Sequence, residues 1–181
     1  MQPTSSDRQI IEVRVKELAQ LFNSLDPSPF PQRDLDDDAA DYIVGWAREL
    51  PTHAELAIAI HLPEPEARKA GERGLKTALL NYFEDRAEAQ QRDLNENFRI
   101  GRRYATIGIP ILIVCFTASH IARSELGDGP LASTISESLL LVGWVANWKP
   151  IETFLYDWWP LKRRRDLYRR LAAAEVVIHP V

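Results

Sequence analysis

Apolar residues gather into two long runs in the second half of the chain, 104–122 and 131–148, with only residues 123–130 between them. The first run has no Asp, Glu, Lys or Arg, and the second has one, Glu137. As helices they would measure roughly 27–29 Å, close to the hydrocarbon thickness of a bilayer at about 30 Å. The pattern predicts a pair of transmembrane helices. A pair of buried helices in a soluble domain is the alternative, which shorter apolar runs favour.

Ahead of these runs the periodicity is that of a soluble domain. Residues 10–15 alternate, with Ile11, Val13 and Val15 on one face and Glu12 and Arg14 on the other, which predicts a strand. Residues 17–25 look helical and must stop at Pro27, Pro29 and Pro31. Asp36 or Asp37 can cap a helix running to about Leu50, with Ala40, Ile43, Val44 and Ala47 along one side. A second strand is expected over 54–62, where Leu56, Ile58, Ile60 and Leu62 alternate with Ala57, Ala59 and His61. Pro65 then suits the first turn of another helix. Between Glu66 and Arg103 there is no proline, so one continuous helix into the first apolar run is the simplest expectation, with a break near Gly101 as the alternative. Leu75, Leu79, Tyr82 and Phe83 form a stripe able to cover a small sheet.

Beyond the second run, Ile151, Phe154, Leu155, Trp158 and Trp159 recur at helical spacing, opposite Glu152, Thr153 and Asp157. An amphipathic helix with this aromatic face suits the headgroup boundary, as do Trp144 and Trp148 at the end of the second run. The alternative is a soluble helix packed on the N-terminal domain. Lys162, Arg163, Arg164 and Arg165 follow, placed to meet anionic headgroups. A helical stretch near 166–174 and a short strand over 175–181 complete the chain. Two strands alone are marginal, so the last strand could join the first two, although the residues leave that pairing open. The fold class is thus an α+β membrane protein: a small cytoplasmic α+β domain of two to three strands whose long helix leads into a two-helix transmembrane hairpin. By segments, 1–100 form that domain and helix, 101–149 the hairpin, and 150–181 the interfacial helix, the basic segment and the returning strand.

Charge sets the orientation. Arg99, Arg102, Arg103, Lys149 and the 162–165 cluster flank the outer limits of the two runs, whereas the connection holds only Arg123 beside Glu125 and Asp128. The positive-inside rule then puts both termini in the cytoplasm. Gly127, Gly129 and Pro130 suit the tight turn this requires. The start of the chain is polar and does not read as a signal peptide, which makes the first run a permanent internal anchor. The mean hydropathy of -0.25 averages the polar half with the apolar runs and conceals both. The net charge of -4 argues against a nucleic-acid partner, and the single cysteine, Cys115, excludes an intrachain disulfide.

Candidate chemistry is sparse. Glu137 lies inside the second run, where an isolated carboxylate is costly, and antiparallel helices would bring it near Ser119 and His120. Ion or proton handling is one reading; a packing hydrogen bond, an oligomer contact or snorkelling is the plainer one. The four histidines have no metal-ligand spacing, although His61 and His179 can meet if their strands are neighbours. No cofactor, metal or nucleophile–base pair is expected, and whether the chain is an enzyme stays open, with no the better reading.

The segment from Glu137 through Trp144, Trp148, Lys149 and Trp159 to Arg165 resembles a group of uncharacterised bacterial inner-membrane proteins with two spans and no assigned activity. Segments 23–31 and 33–51 are similar to the N-terminal half of that group. The resemblance implies the bacterial inner (plasma) membrane, a multi-pass topology and a motif that includes Glu137. Together these readings give a non-enzymatic membrane-anchored scaffold or accessory subunit as the expected function. Its partners would be the lipid bilayer and either further copies of itself or a membrane protein, without nucleic acid. A small oligomeric transporter or ion-conducting protein working through Glu137 is the alternative.

Overall fold

A computed structural model describes residues 8–127 and 129–181. It is an α+β fold with a parallel three-stranded sheet and one long apolar helix. Strand β1 is Arg8–Arg14, β2 is Glu55–Leu62 and β3 is Glu175–Pro180. Their order is β1-β2-β3, both pairings are parallel, and the register sets Ile11 against Ile58 and Ile58 against Val176. The last strand joins the first two, as the marginal stability of a two-stranded sheet suggested.

The chain divides into two compact units, one holding the chain up to Gln90 and from Arg163 onward, the other Gln91–Lys162. In the first unit, helices cover one face of the sheet. Helix α1 (Asp37–Glu49) starts at Asp36, whose carboxylate accepts from the Asp38 N–H, and buries Ala40, Ile43, Val44 and Ala47. Leu75, Leu79, Tyr82 and Phe83 are buried in the same core as Ile11, Val13, Leu56, Ile58, Ile60, Leu62 and Val176. A sheet with helices on one side follows from parallel neighbours joined by crossovers of one hand. The other face carries the small Ala57 and Ala59, both buried, beside Ile10, which is mostly exposed.

Two expectations need correction. Residues 17–25 do not form a helix; only Leu18–Leu21 makes a 3₁₀ turn. The Asp36 N–H bonds the Leu21 carbonyl and Phe22 bridges Leu35, so tertiary pairing captures the backbone there. The helix from Glu66 is not continuous either. Helix α2 (Glu64–Arg73) closes at Gly74, which takes the left-handed conformation at φ 75° and donates to Ala70 and Gly71. Only glycine adopts that backbone without cost, so it ends one helix and starts another. Helix α3 (Leu75–Leu126) then runs 52 residues, through Gly101 and Pro110, with no break at Gly101.

Helix α4 (Pro130–Glu152) begins with proline in its first turn and passes into a five-residue π turn at Thr153–Asp157, then into α5 (Trp158–Ala172). Residues 150–160 are helical throughout, continuous with α4 and α5. Among the described residues one helix, α3, is long and apolar enough to cross a membrane by length and composition; its most apolar stretch has a mean hydropathy of 1.9 and is only 17% buried. The low burial separates it from the core helix of a soluble protein.

Candidate functional site

Size decides which residues of the second unit face inward. From Gly101 onward the buried positions of α3 are Gly101, Gly108, Cys115 and Ser119; on α4 they are Ala132, Ser136, Gly143, Asn147 and Pro150. Large apolar side chains point out, among them Ile107, Ile113, Phe116, Leu141, Trp144 and Trp148. A soluble helix pair shows the reverse arrangement. Small residues within and bulky ones without is how helices pack when the surroundings are as apolar as the side chains.

Contacts along the two helices run in opposite chain directions. Ser119 and Ser136 share a hydrogen bond of 2.5 Å, and Arg123 Nε donates to Ser136 Oγ at 2.9 Å. One level on, a methyl group added at Gly143 would lie 3.0 Å from Leu112 Cδ1 and 3.2 Å from Cys115 Cβ. Next, Asn147 Nδ2 donates to the carbonyls of Gly108 and Gly143 at 2.8 and 2.9 Å. A methyl at Gly108 would meet Asn147 Oδ1 at 2.8 Å and the Ala146 carbonyl at 3.0 Å. At the far end Gly101 lies against Thr153 and Phe154. The glycines are what let the backbones approach; the serines and the asparagine fix the register.

The end marked by Pro150 and the π turn is tied by charge and aromatics. Lys149 Nζ reaches Glu152 at 3.1 Å and Asp157 at 3.5 Å. The hydrogen bond from Lys149 to Glu152 is the main reason its ammonium pKa is raised, with Asp157 adding to it. Trp158 Nε1 donates to the Phe154 carbonyl at 3.0 Å, and Phe98 stacks with Phe154 and packs on Trp158. Lys162 lies over the Trp158 ring at 5.5 Å. Ile151, Leu155 and Trp159 stay exposed, as do Lys162, Arg163 and Arg164, whereas Arg165 is half-buried and bonds Asp166 at 2.6 Å.

Of the polar candidates inside the apolar runs, the structure joins Ser119 to Ser136 and not to Glu137. Position 136 faces α3, so position 137, turned about 100° round the helix, faces outward. Glu137 and His120 are both exposed, and no hydrogen bond or ion pair reaches either among the described residues. Sequence reasoning missed Ser136, Asn147 and Phe98. The repeat of small residues at 101, 108 and 115, and again at 136, 143 and 150, was the available signal, since sevenfold spacing keeps one side of a helix in contact.

Elsewhere, His61 and His179 do meet, with ring centroids 5.2 Å apart across the β2–β3 pairing, and His61 Nε2 lies 4.0 Å from a Glu12 oxygen. No group of three or more His, Cys, Asp or Glu able to hold a metal ion occurs among the described residues. Comparison with protein-family models, with curated proteins and with solved structures finds no match to this chain.

Proposed function

We propose that this chain is a membrane-anchored scaffold without catalytic activity, which holds a cytoplasmic α+β unit at a bilayer and assembles with itself or with a membrane protein. One observation carries the topology. The segments before and after Gln91–Lys162 belong to a single unit, because β3 pairs with β2. A chain that leaves a unit, crosses a bilayer and returns to that unit must cross an even number of times. If α3 spans, α4 spans as well. The serines, Glu137 and Asn147 make 131–148 the less apolar of the two runs, yet α4 directs Ser136 and Asn147 to α3 and bulky residues outward. The basic residues at 99, 102, 103, 149 and 162–165 support a cytoplasmic placement of both termini, in the bacterial inner membrane that the resemblance implies.

Conduction through Glu137 has less support. The α3–α4 contact is closed at Gly108 and Gly143 by van der Waals packing, and Glu137 points away from it. Any path would have to form between copies.

Two measurements test the reading. Carbonate extraction should leave the protein in the membrane pellet. In a Cys115→Ala background, Leu126→Cys should react with an impermeant maleimide added outside intact spheroplasts, whereas Lys76→Cys should react only after permeabilisation. Release by carbonate, or labelling of both sites from one side, sinks the proposal.

A further inference from the structure

His120 follows Ser119 by one position, and Glu137 follows Ser136 by one. Since the two serines bond each other, each of these neighbours is turned about 100° from the contact and displaced along its helix by about 1.5 Å. The helices run in opposite directions, so the two rotations have opposite sense and bring both side chains to the same side of the helix pair. The opposite displacements leave them about 3 Å apart in depth. On that side His120, Phe116 and Ile113 line α3, and Glu137, Trp144 and Trp148 line α4; all are exposed. The other side carries Ile111 and Val142, both exposed.

We propose that this His120–Glu137 side is a homodimer interface, in which Glu137 of each copy hydrogen-bonds His120 of its partner. The inference rests on the membrane reading above. A twofold axis along the bilayer normal preserves depth and exchanges left for right across the interface. It therefore sets α3 of one copy against α4 of the other and presents each carboxyl to an imidazole about 3 Å away in depth, within reach of both side chains. The pair is complementary in either proton assignment: carboxylate with imidazolium, or carboxyl donating to neutral imidazole. One proton lies between the two groups in both cases, so no uncompensated charge is left in the hydrocarbon. A second copy suits the face better than an unrelated helix, because a single chain supplies both halves of the pair twice over and the contact is self-complementary.

The test is the dimer fraction of the full chain in lipid vesicles, followed as the protein-to-lipid ratio is lowered. Glu137→Ala and His120→Ala should each weaken association about tenfold, the effect of losing two symmetric intramembrane hydrogen bonds. Glu137→Gln, which still bonds imidazole, should weaken it less. The exchange H120E/E137H should restore it, and Ile111→Ala on the opposite side should leave it unchanged. A monomeric wild type, alanine variants that dimerise like wild type, or an exchange that fails to restore association overturns the inference. Carbonate extraction of the same vesicles separates the two failures. Retained monomer refutes the interface alone; released protein refutes the membrane reading with it.

Discussion

Gly108 is the position where close approach of α3 and α4 can be weighed most directly. Alanine there would place its methyl 2.8 Å from Asn147 Oδ1 and 3.0 Å from the Ala146 carbonyl. The first obstacle can move, at the expense of the bonds Asn147 makes to the Gly108 and Gly143 carbonyls; the second is backbone and can yield only if the helices separate. Overpacking of this kind costs about 1–3 kcal/mol, and intramembrane hydrogen bonds contribute about 0.6–2 kcal/mol. Alanine recovers about 0.5–1 kcal/mol of helix preference over glycine, so the net loss should be about 1–3 kcal/mol. Four of the five tryptophans lie in the second unit, so their fluorescence reports its unfolding when dodecyl sulfate is titrated into mixed micelles. In an Asn147→Ala background the same substitution should cost less by at least about 0.5 kcal/mol, because one of its two obstacles is gone. Gly45 on α1 has no atom within 4 Å of an added methyl, and there alanine should be neutral or stabilising. A Gly108→Ala protein as stable as wild type, or effects that simply add, would refute the close contact.

Other outcomes follow from the first unit and the flanking charges. Phe83 is fully buried in the core, and Phe83→Ala should cost about 3–5 kcal/mol, read as a fall in the cooperative unfolding of that unit. Glu66 accepts from Lys69 Nζ at 2.6 Å and from the Leu18 N–H at 3.0 Å, and the Lys69 bond first, then the Leu18 bond, hold its carboxyl below the usual glutamate value. A lowered folded pKa gives stability that is present above the unfolded value and lost as pH falls through the folded one. The gap in thermal midpoint between wild type and Glu66→Gln should therefore be full at neutral pH and close below about pH 4. Lys149 has the opposite sign: its raised value means that its contribution holds through neutral pH and fades only as pH climbs past about 10, so Lys149→Met should converge with wild type there in a thermal melt.

The parts of the fold that periodicity governs were legible in the residues. Alternation located β1 and β2, Asp36 marked the start of α1, and the Leu75–Phe83 stripe gave the helix face that covers the sheet. What escaped depends on contacts distant in sequence or on a single backbone choice. The 3₁₀ turn at Leu18–Leu21 is shaped by Leu35 and Asp36, which no local propensity contains. Gly74 permits a break but does not demand one, and its left-handed conformation is visible only in the structure. Within the apolar runs, hydropathy identifies the segments but is blind to size. The inward positions were written in Gly, Ser, Cys and Asn, which a search for apolar faces discounts, so Glu137 drew attention while Ser136 beside it made the contact.

The central place of β2 bears on the order in which the protein can be made. Its partner on one side, β1, precedes it by some forty residues, but its partner on the other, β3, comes about a hundred residues later. At synthesis rates of about 5–20 residues per second, β2 waits roughly 5–20 seconds with one edge unpaired. During that interval the nascent unit is a two-stranded ribbon whose open edge is a template for the wrong strand. Completion of the sheet thus has to follow synthesis of everything between β2 and β3, and a chain interrupted just before Glu175 would carry both helices of the second unit and no finished first one.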